Sequence, residues 1–308
     1  MKCRSARKAS RVSKPPLDII CFGEILWDAL PRGLFPGGAP MNVAYHLRQL
    51  GANPVLVTAV GKDELGNELI RRLKSWGVAV QGVLVRPTKP TGLARVEVVD
   101  GNPQFEIVAN VAWDWIELQP AVLERAQDAG AVVFGSLAQR TEYNRQALAQ
   151  LLRRAARSFK VFDVNLRAPY DLAERVWSLT READLIKLNE QELSRLLDRN
   201  IPPEDLANAA RQFAERAEVP RVCVTAGARG AGLLLKDEWL WESGRAVPVR
   251  DSVGAGDAFL AALLLGLLRR THPPVEILRR ACRLAEFVVS QDGATPAYRG
   301  DEPSIWVG

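Results

Sequence analysis

The sequence predicts an α/β fold, a central and mostly parallel sheet flanked by helices, with a small β lid inserted into it. Three observations carry that expectation. From Leu17 onward, short apolar runs alternate with longer segments of helical period. The runs are apolar on both faces, as strands are when helices cover the sheet on either side. One region breaks this rhythm with two alternating runs joined by a turn, the pattern of a half-exposed hairpin.

Taken in order, "LDIICFGE" reads as a buried strand and "PMNVAYHLRQLGA" as a helix ended by Gly51. "PVLVTAV" is a strand again, and "DELGNELIRRLKSWG" a helix. "AVVFGS", "KVFDVN", "ADLIKLN" and "RVCVTAG" follow, each expected to lead through a polar or glycine turn into a helical pattern. The exception is "TGLARVEVVDGNPQFEIVANV", whose two runs meet at Asp100-Gly101-Asn102-Pro103. With the "LVR" run near Val83 it suggests a small antiparallel sheet over residues 83–112. Open α/β sheets bind ligands at the C-terminal ends of their strands, so such a sheet is placed to act as a lid there. No Pro/Ser-rich linker and no internal repeat divides the chain. Residues 17–308 are therefore read as one domain behind a tail of residues 1–16.

The totals narrow the function classes. No apolar run approaches the ~20 residues a membrane-spanning helix needs. The net charge of +5 is confined to the start of the chain. Lys2, Arg4, Arg7, Lys8, Arg11 and Lys14 lie there without an acidic neighbour; removing these six from 41 basic residues leaves 35 against 36 acidic ones. A body without basic excess argues against a nucleic-acid binder. The tail lacks the apolar stretch of a secretory signal and is expected to be a disordered arm. Cys3, Cys21, Cys223 and Cys282 form no C-x-x-C pair, and only His46 and His272 accompany them, so a zinc site is not expected. Cys21 and Cys223, in apolar runs, read as core residues of a reduced, cytoplasmic protein.

The stretch with most chemistry is "DSVGAGDAF", residues 251–259, directly before the apolar "LAALLLGLLRR". The backbone N–H groups of Gly254, Ala255 and Gly256 carry little side-chain bulk and open a helix, an anion-binding surface suited to phosphate. A carboxylate placed there, Asp257, could take a proton from an attacking hydroxyl. Read alone, the same residues describe a capped helix with an acidic first turn. No G-x-x-x-x-G-K-[ST] is present, which excludes a P-loop.

The full string resembles the D-[TS]-x-G-A-G-D-x-F signature of the ribokinase/PfkB family of sugar kinases. Near the N-terminus, "FPGGAPMNVAYHLRQLGANPVLVTAVGKDELGNEL" is similar to that family's G-G-x-x-x-N-x-A stretch followed by G-x-D-x-x-G. The resemblance spans residues 17–308 and implies a ribokinase-like fold and ATP-dependent phosphorylation of a sugar hydroxyl. It implies that Asp28 binds sugar hydroxyls, with Gly37, Gly38 and Asn42 completing that wall. A carboxylate and an amide suit a polyol, and glycines let backbone approach it. Asn189 and Glu192 resemble the N-x-x-E element that orders Mg²⁺-bound water near the phosphates. "VTAGARGA" resembles the nucleotide-side loop, with Thr225 and Gly227 at the phosphates and Gly230 allowing the next turn. Asp257 would be the base and Gly254 to Gly256 the anion hole. Asp251, the Val253 carbonyl and the "VVSQDGATPA" segment, including Gly293, would hold a monovalent cation, K⁺. Three departures stand out. Ser252 replaces the commoner threonine. Cys282 falls where relatives place Asn or His against the nucleobase, which leaves the nucleotide open. Ala297 falls where some relatives offer Ser to the cation, which leaves K⁺ dependence open.

"GEILWDALP", "GGAPMNVA" and "FDVNLR" resemble bacterial fructokinase-type members, so fructose is the leading substrate. Arg140 and Arg167 could both face the pocket, which would favour an acidic or phosphorylated sugar such as 2-keto-3-deoxygluconate. They could equally make a nucleotide contact or a structural ion pair. Trp113 and Trp115 are expected to anchor the lid rather than line the sugar site. The implied partners are the sugar, ATP and, through the lid, a second copy of the chain; neither nucleic acid nor membrane is expected. A sugar-binding regulator without chemistry is the reading from another class, against which the intact Asp257, Gly254–Gly256 and Glu192 speak.

Overall fold

A computed structural model of the chain describes residues 17–30, 33–99, 102–270 and 272–298, with backbone alone at 96–99 and 102–105. The basic tail and the turn pair Asp100–Gly101 lie outside the described residues. In chain order the elements are β1 (Asp18–Phe22), β2 (Leu26–Leu30), β3 (Gly33–Gly37), α1 (Ala39–Gln49), β4 (Asn53–Gly61), α2 (Glu64–Ser75), β5 (Val83–Arg86), β6 (Gly92–Val99) and β7 (Asn102–Ile107). The middle of the chain adds α3 (Pro120–Ala126), β8 (Ala131–Gly135), α4 (Glu142–Arg154), β9 (Phe159–Asp163), α5 (Ala173–Thr180), β10 (Leu185–Asn189) and α6 (Glu190–Leu196). It ends with α7 (Leu206–Ala217), β11 (Arg221–Thr225), β12 (Gly230–Leu235), β13 (Glu238–Ser243), α8 (Ala255–Arg269) and α9 (Pro274–Val289).

The strands form a nine-stranded sheet in the order β13-β12-β11-β10-β9-β8-β1-β4-β5 and a four-stranded sheet in the order β3-β2-β6-β7. From β11 to β5 the large sheet is parallel throughout. Its strands are apolar on both faces because both faces are covered. Along β1, Ile19 and Cys21 face α1, α8 and α9, while Ile20 and Phe22 face the layer built by α3 to α7. The pleat alternation thus splits one apolar run between two cores. Helix α8 is apolar all round because it is buried between the sheet, α1 and α9.

Two expectations need correction. The run Val83–Arg86 pairs in parallel with β4 at the edge of the large sheet, Thr58 opposite Val83, and takes no part in the small one. β6 and β7 do pair antiparallel, but the small sheet is completed by β2 and β3 from the start of the chain. The β2–β6 pairing is parallel, a long-range contact that no local turn signal announces. After β11, "GAGLLLKDEWLWES" forms the antiparallel hairpin β12–β13 rather than the expected helical pattern, reversing at Lys236, which has φ +55°. Cys21 and Cys223 lie in the core, as read.

Candidate active site

The C-terminal ends of β1, β9, β10 and β11, the first turns of α1 and α8, and the inner side of the small sheet enclose a cleft of about 620 Å³. At its centre is the mouth of α8. Gly254 caps this helix with φ +79° and lies against Ala294, so that a side chain would both strain the turn and overlap its neighbour. No side chain caps α8, and Gly254 and Gly256 line the cleft. Ala255 N and Asp257 N close onto the Ser252 and Gly254 carbonyls, at 3.4 and 3.1 Å, while the helix dipole favours negative charge at this end. Asp257 sits in the same turn, 9% exposed. Its Oδ2 accepts a 2.8 Å hydrogen bond from Asn42 Nδ2, a contact between α1 and α8 across 215 positions of sequence. Burial, with Asp163 nearby, pushes the Asp257 carboxyl up to about 6, against the pull of Lys187, Asn42 and Arg167.

Asp28, on β2, faces the cleft from the small sheet. Burial raises its carboxyl to about 6, with Arg167 opposing and Asp251 adding to the shift. Gly37 on β3 lies so close behind Asp28 Oδ2 that a Cβ would overlap it. Gly38 lines the cleft with φ +109° and leads into α1. Asn42 makes a contact the sequence did not suggest: its amide nitrogen holds Asp257, while its Oδ1 has no partner among the described residues. Arg167 is exposed at the cleft wall, its Nη1 donating to the Leu166 carbonyl.

The opposite wall contains a buried ion pair that sequence reasoning missed. Lys187 Nζ on β10 donates to Asp163 Oδ1 on β9 at 2.9 Å, with the two side chains 9% and 4% exposed. The ammonium lies against Gly256, at the anion-favouring mouth of α8. Burial alone would lower its pKa, but Asp163, Glu192 and Asp257 hold it above the ordinary lysine range. A single ammonium inside the apolar "LIKLN" was the available signal. Asn189 and Glu192 form a reciprocal capping box at the start of α6, Asn189 Oδ1 accepting from Glu192 N and Glu192 Oε2 from Asn189 N, both at 2.8 Å. Glu192 Oε1 accepts from Leu166 N at 2.8 Å. Asn189 and Thr225 line the cleft; Gly227, Gly230 and Glu192 do not. Cys282 is 5% exposed within the core on α9 and is not part of the cleft wall, because that face of α9 packs on the sheet. Asp251, Val253 and Gly293 line the cleft, and Asp251 Oδ1 accepts from Val253 N at 3.0 Å.

Arg140 is absent from that wall. Its side chain is 3% exposed, paired with Asp114 at 2.6 Å and flanked by the Trp113 and Tyr170 rings, the structural ion pair among the alternatives. Trp113 is fully buried against Gly92 at the start of β6, Trp115 packs on Tyr143 and under Lys89, and neither lines the cleft.

A parallel sheet with a carboxylate at a glycine-capped helix mouth and a second sheet over the cleft defines a ribokinase-like phosphotransferase architecture. The model of the pfkB family carbohydrate kinases matches residues 23–299, and the chain belongs to that family. Fructokinase-2 of Solanum lycopersicum is 30% identical over 307 residues, covering 91% of this chain and 92% of the relative. Fructokinase-2 of Zea mays is 31% identical over 309 residues, covering 91% and 90%. Among solved structures, fructokinase from Xylella fastidiosa with bound ATP superimposes with a TM-score of 0.77 at 28% identity, covering 90% of this chain and 94% of that one.

Proposed function

We propose that this carbohydrate kinase transfers the γ-phosphoryl group of ATP to a hydroxyl of a neutral ketohexose, fructose first. The observation that carries the reading is Asp257, a buried carboxylate fixed by Asn42 at the open mouth of α8 and sharing one cleft with Asp28. In this reading Asp28 and the free Oδ1 of Asn42 take sugar hydroxyls and bring one of them to Asp257. Asp257 accepts its proton as the oxygen attacks phosphorus in line with the departing ADP oxygen. Gly254–Gly256 and the Lys187 ammonium stabilise charge on the transferring group. Positioning and electrostatics supply most of the rate in phosphoryl transfer, and each has a residue here. With Arg140 committed to Asp114, the cleft loses half of the cationic pair an acidic sugar would call for, and two carboxyls, Glu24 and Asp28, face Arg167. That favours fructose over 2-keto-3-deoxygluconate, in line with the fructokinase relatives.

Among the described residues no cluster of three metal-ligating side chains exists, so Mg²⁺ fits here as an ion carried by the triphosphate and kept largely hydrated. It would supply charge neutralisation on the phosphates. Each Glu192 oxygen accepts one backbone amide and retains capacity for an ordered water. Asp251 with the carbonyls of Val253 and Gly293 offers the oxygen donors a K⁺ ion takes, which replacing K⁺ by tetramethylammonium would test. Thr225 reaches the nucleotide side of the cleft, while Gly227 and Gly230 shape the loop beyond it. Among the described residues no helix is long and apolar enough to cross a membrane. ATP use and the buried free thiols of Cys21, Cys223 and Cys282 suit the reducing cytoplasm. A homodimer through the small sheet belongs to the same reading and is checked by light scattering.

A panel of sugars with ATP and a coupled ADP readout tests the substrate. Fructose is expected to turn over fastest. Preference for ketodeoxygluconate would overturn the substrate, and binding without turnover of any sugar would make the chain a regulator. Asp257→Asn is expected to lower kcat by at least ~10²-fold while sugar affinity changes by less than ~10-fold.

A further inference from the structure

The loop between β1 and β2 places a carboxyl in the cleft that the sugar and nucleotide contacts above leave unused. Glu24 is 2% exposed and forms part of the wall. Its Oε1 accepts the Ala39 N–H at 3.3 Å, and its Oε2 has no partner among the described residues. Ala39 is the first residue of α1, a helix whose N-terminus has no side-chain cap. An ordinary cap would sit at position 38, where Ser, Thr, Asp or Asn bonds back to the first turn. Position 38 cannot carry one. Gly38 has φ +109° and lies against the Glu24 carbonyl, so a Cβ would strain the backbone and overlap that oxygen. The helix is therefore capped from outside, by the side chain of the residue whose backbone denies it an internal cap.

What α1 carries one turn on is Asn42. Its N–H closes the first turn onto the Gly38 carbonyl at 2.9 Å, and its side chain holds Asp257 Oδ2 at 2.8 Å. Glu24, Ala39, Asn42 and Asp257 form one connected series. The charged groups facing Glu24 are Arg167, from the loop after β9, and Asp257 on α8. Burial is the main influence on the Glu24 carboxyl and lifts it to about 7, the cost of keeping this group where water could not.

We infer that Glu24 is a positioning residue for phosphoryl transfer: by holding the first amide of α1 it fixes Asn42, and through Asn42 the carboxylate of Asp257. The inference rests on the reading of Asp257 as the base. Displacements of ~1 Å in such an arrangement cost ~10²-fold in rate, so a cap bond outside the reacting atoms can matter to kcat.

The test uses the full chain with fructose and ATP, reading kcat, both KM values and melting temperature. Glu24→Ala removes the acceptor and is expected to lower kcat at least ~10-fold, with the KM for ATP changed by less than ~3-fold. Glu24→Gln keeps an oxygen for Ala39 and is expected to restore kcat to within ~3-fold of the parent. Glu24→Asp keeps the carboxyl but falls a methylene short, so it is expected to lose rate as Glu24→Ala does; it serves in place of the alanine variant if that one fails to fold. In an Asp257→Asn background, Glu24→Ala should change kcat by less than ~2-fold, since no base is left to position. An undiminished rate in Glu24→Asp, a Glu24→Gln variant as slow as Glu24→Ala, or full additivity with Asp257→Asn would overturn the inference alone. An Asp257→Asn enzyme at the parent rate would overturn the reading of the base and this inference with it.

Discussion

Asp28 and Asp257 face one cleft, and burial raises both carboxyls to about 6, which sets how the rate should depend on pH. As the proposed base, Asp257 would work only when ionised, so kcat is expected to fall as pH drops through about 6, and Asp257→Asn should abolish that acid limb. In the same proposal Asp28 would accept sugar hydroxyls best as a carboxylate, so the KM for fructose should rise over the same range. Loss of Lys187 should lower stability through its buried ion pair. Lys187→Met leaves Asp163 buried without its cation, and breaking such a pair costs ~3–5 kcal/mol. The expected result is a lower melting temperature together with a lower kcat, because the ammonium also faces the mouth of α8. A Lys187→Met enzyme with parental stability would show that Asp163 takes up a proton or finds another partner when its cation is removed.

At the scale of elements, the G-x-D-x-x-G stretch acquires a physical meaning. Asp63 caps α2 through Gly66 N at 2.7 Å and also accepts Thr91 N at 2.8 Å. Thr91 Oγ1 in turn accepts Gly61 N at 2.9 Å, so the motif ties α2 and β4 to the residue before β6, where the chain passes into the small sheet. Asp63→Ala removes both the cap and this tie. The expected outcome is a loss of ~1–2 kcal/mol in stability and faster amide exchange along β6, with kcat less affected than the KM for sugar. The other end of α1 is fastened to the C-terminal segment. His46 Nε2 donates to the Ala294 carbonyl at 3.0 Å, leaving Nδ1 to accept from the Tyr298 hydroxyl at 2.7 Å, and burial holds the ring neutral by lowering it to about 3. Tyr45 adds a 2.6 Å bond to the Pro296 carbonyl. The helix that positions Asn42 is thus fixed at its start by Glu24 and along its length by the segment that borders the proposed cation site.

For the whole molecule, the cleft carboxyls oppose folding at neutral pH. Each has a folded-state pKa above its unfolded one, so the folded protein holds more protons between about pH 4 and about pH 6 to 7. Stability from these groups is therefore fully present below that window and lost as pH rises through it. Asp257→Asn removes one such group. It should melt at the parent temperature near pH 4 and higher than the parent above pH 6, by at least ~2 °C for a gain of ~1 kcal/mol. Equal melting temperatures throughout would show that solvent or an ion relieves the charge. The small sheet should respond to sugar as a unit. If β2, β3, β6 and β7 close over the cleft, their amide exchange should slow when fructose is added without nucleotide. Unchanged protection would make the sheet a fixed wall.

Much of this was legible in sequence because the information is local. Doubly apolar strands announce a covered parallel sheet through composition alone. "DSVGAGDAF" shows its anion-favouring mouth through glycines at a helix start, and Asp28, Asn42 and Asp257, the residues the family resemblance singled out, line one cleft. The tertiary structure decided what depends on partners distant in sequence. The parallel pairing of β2 with β6 recruits β2 and β3 into the small sheet, while Val83–Arg86 goes to the large one; backbone pairing across 66 residues leaves no periodic trace. Arg140 and Arg167 look alike in sequence, yet Asp114 takes one and the cleft keeps the other. Lys187, Glu24 and the amide of Asn42 gain their roles only from what burial sets against them. A side chain's type is written in the sequence, but its charge state and its partner are properties of the space it is folded into.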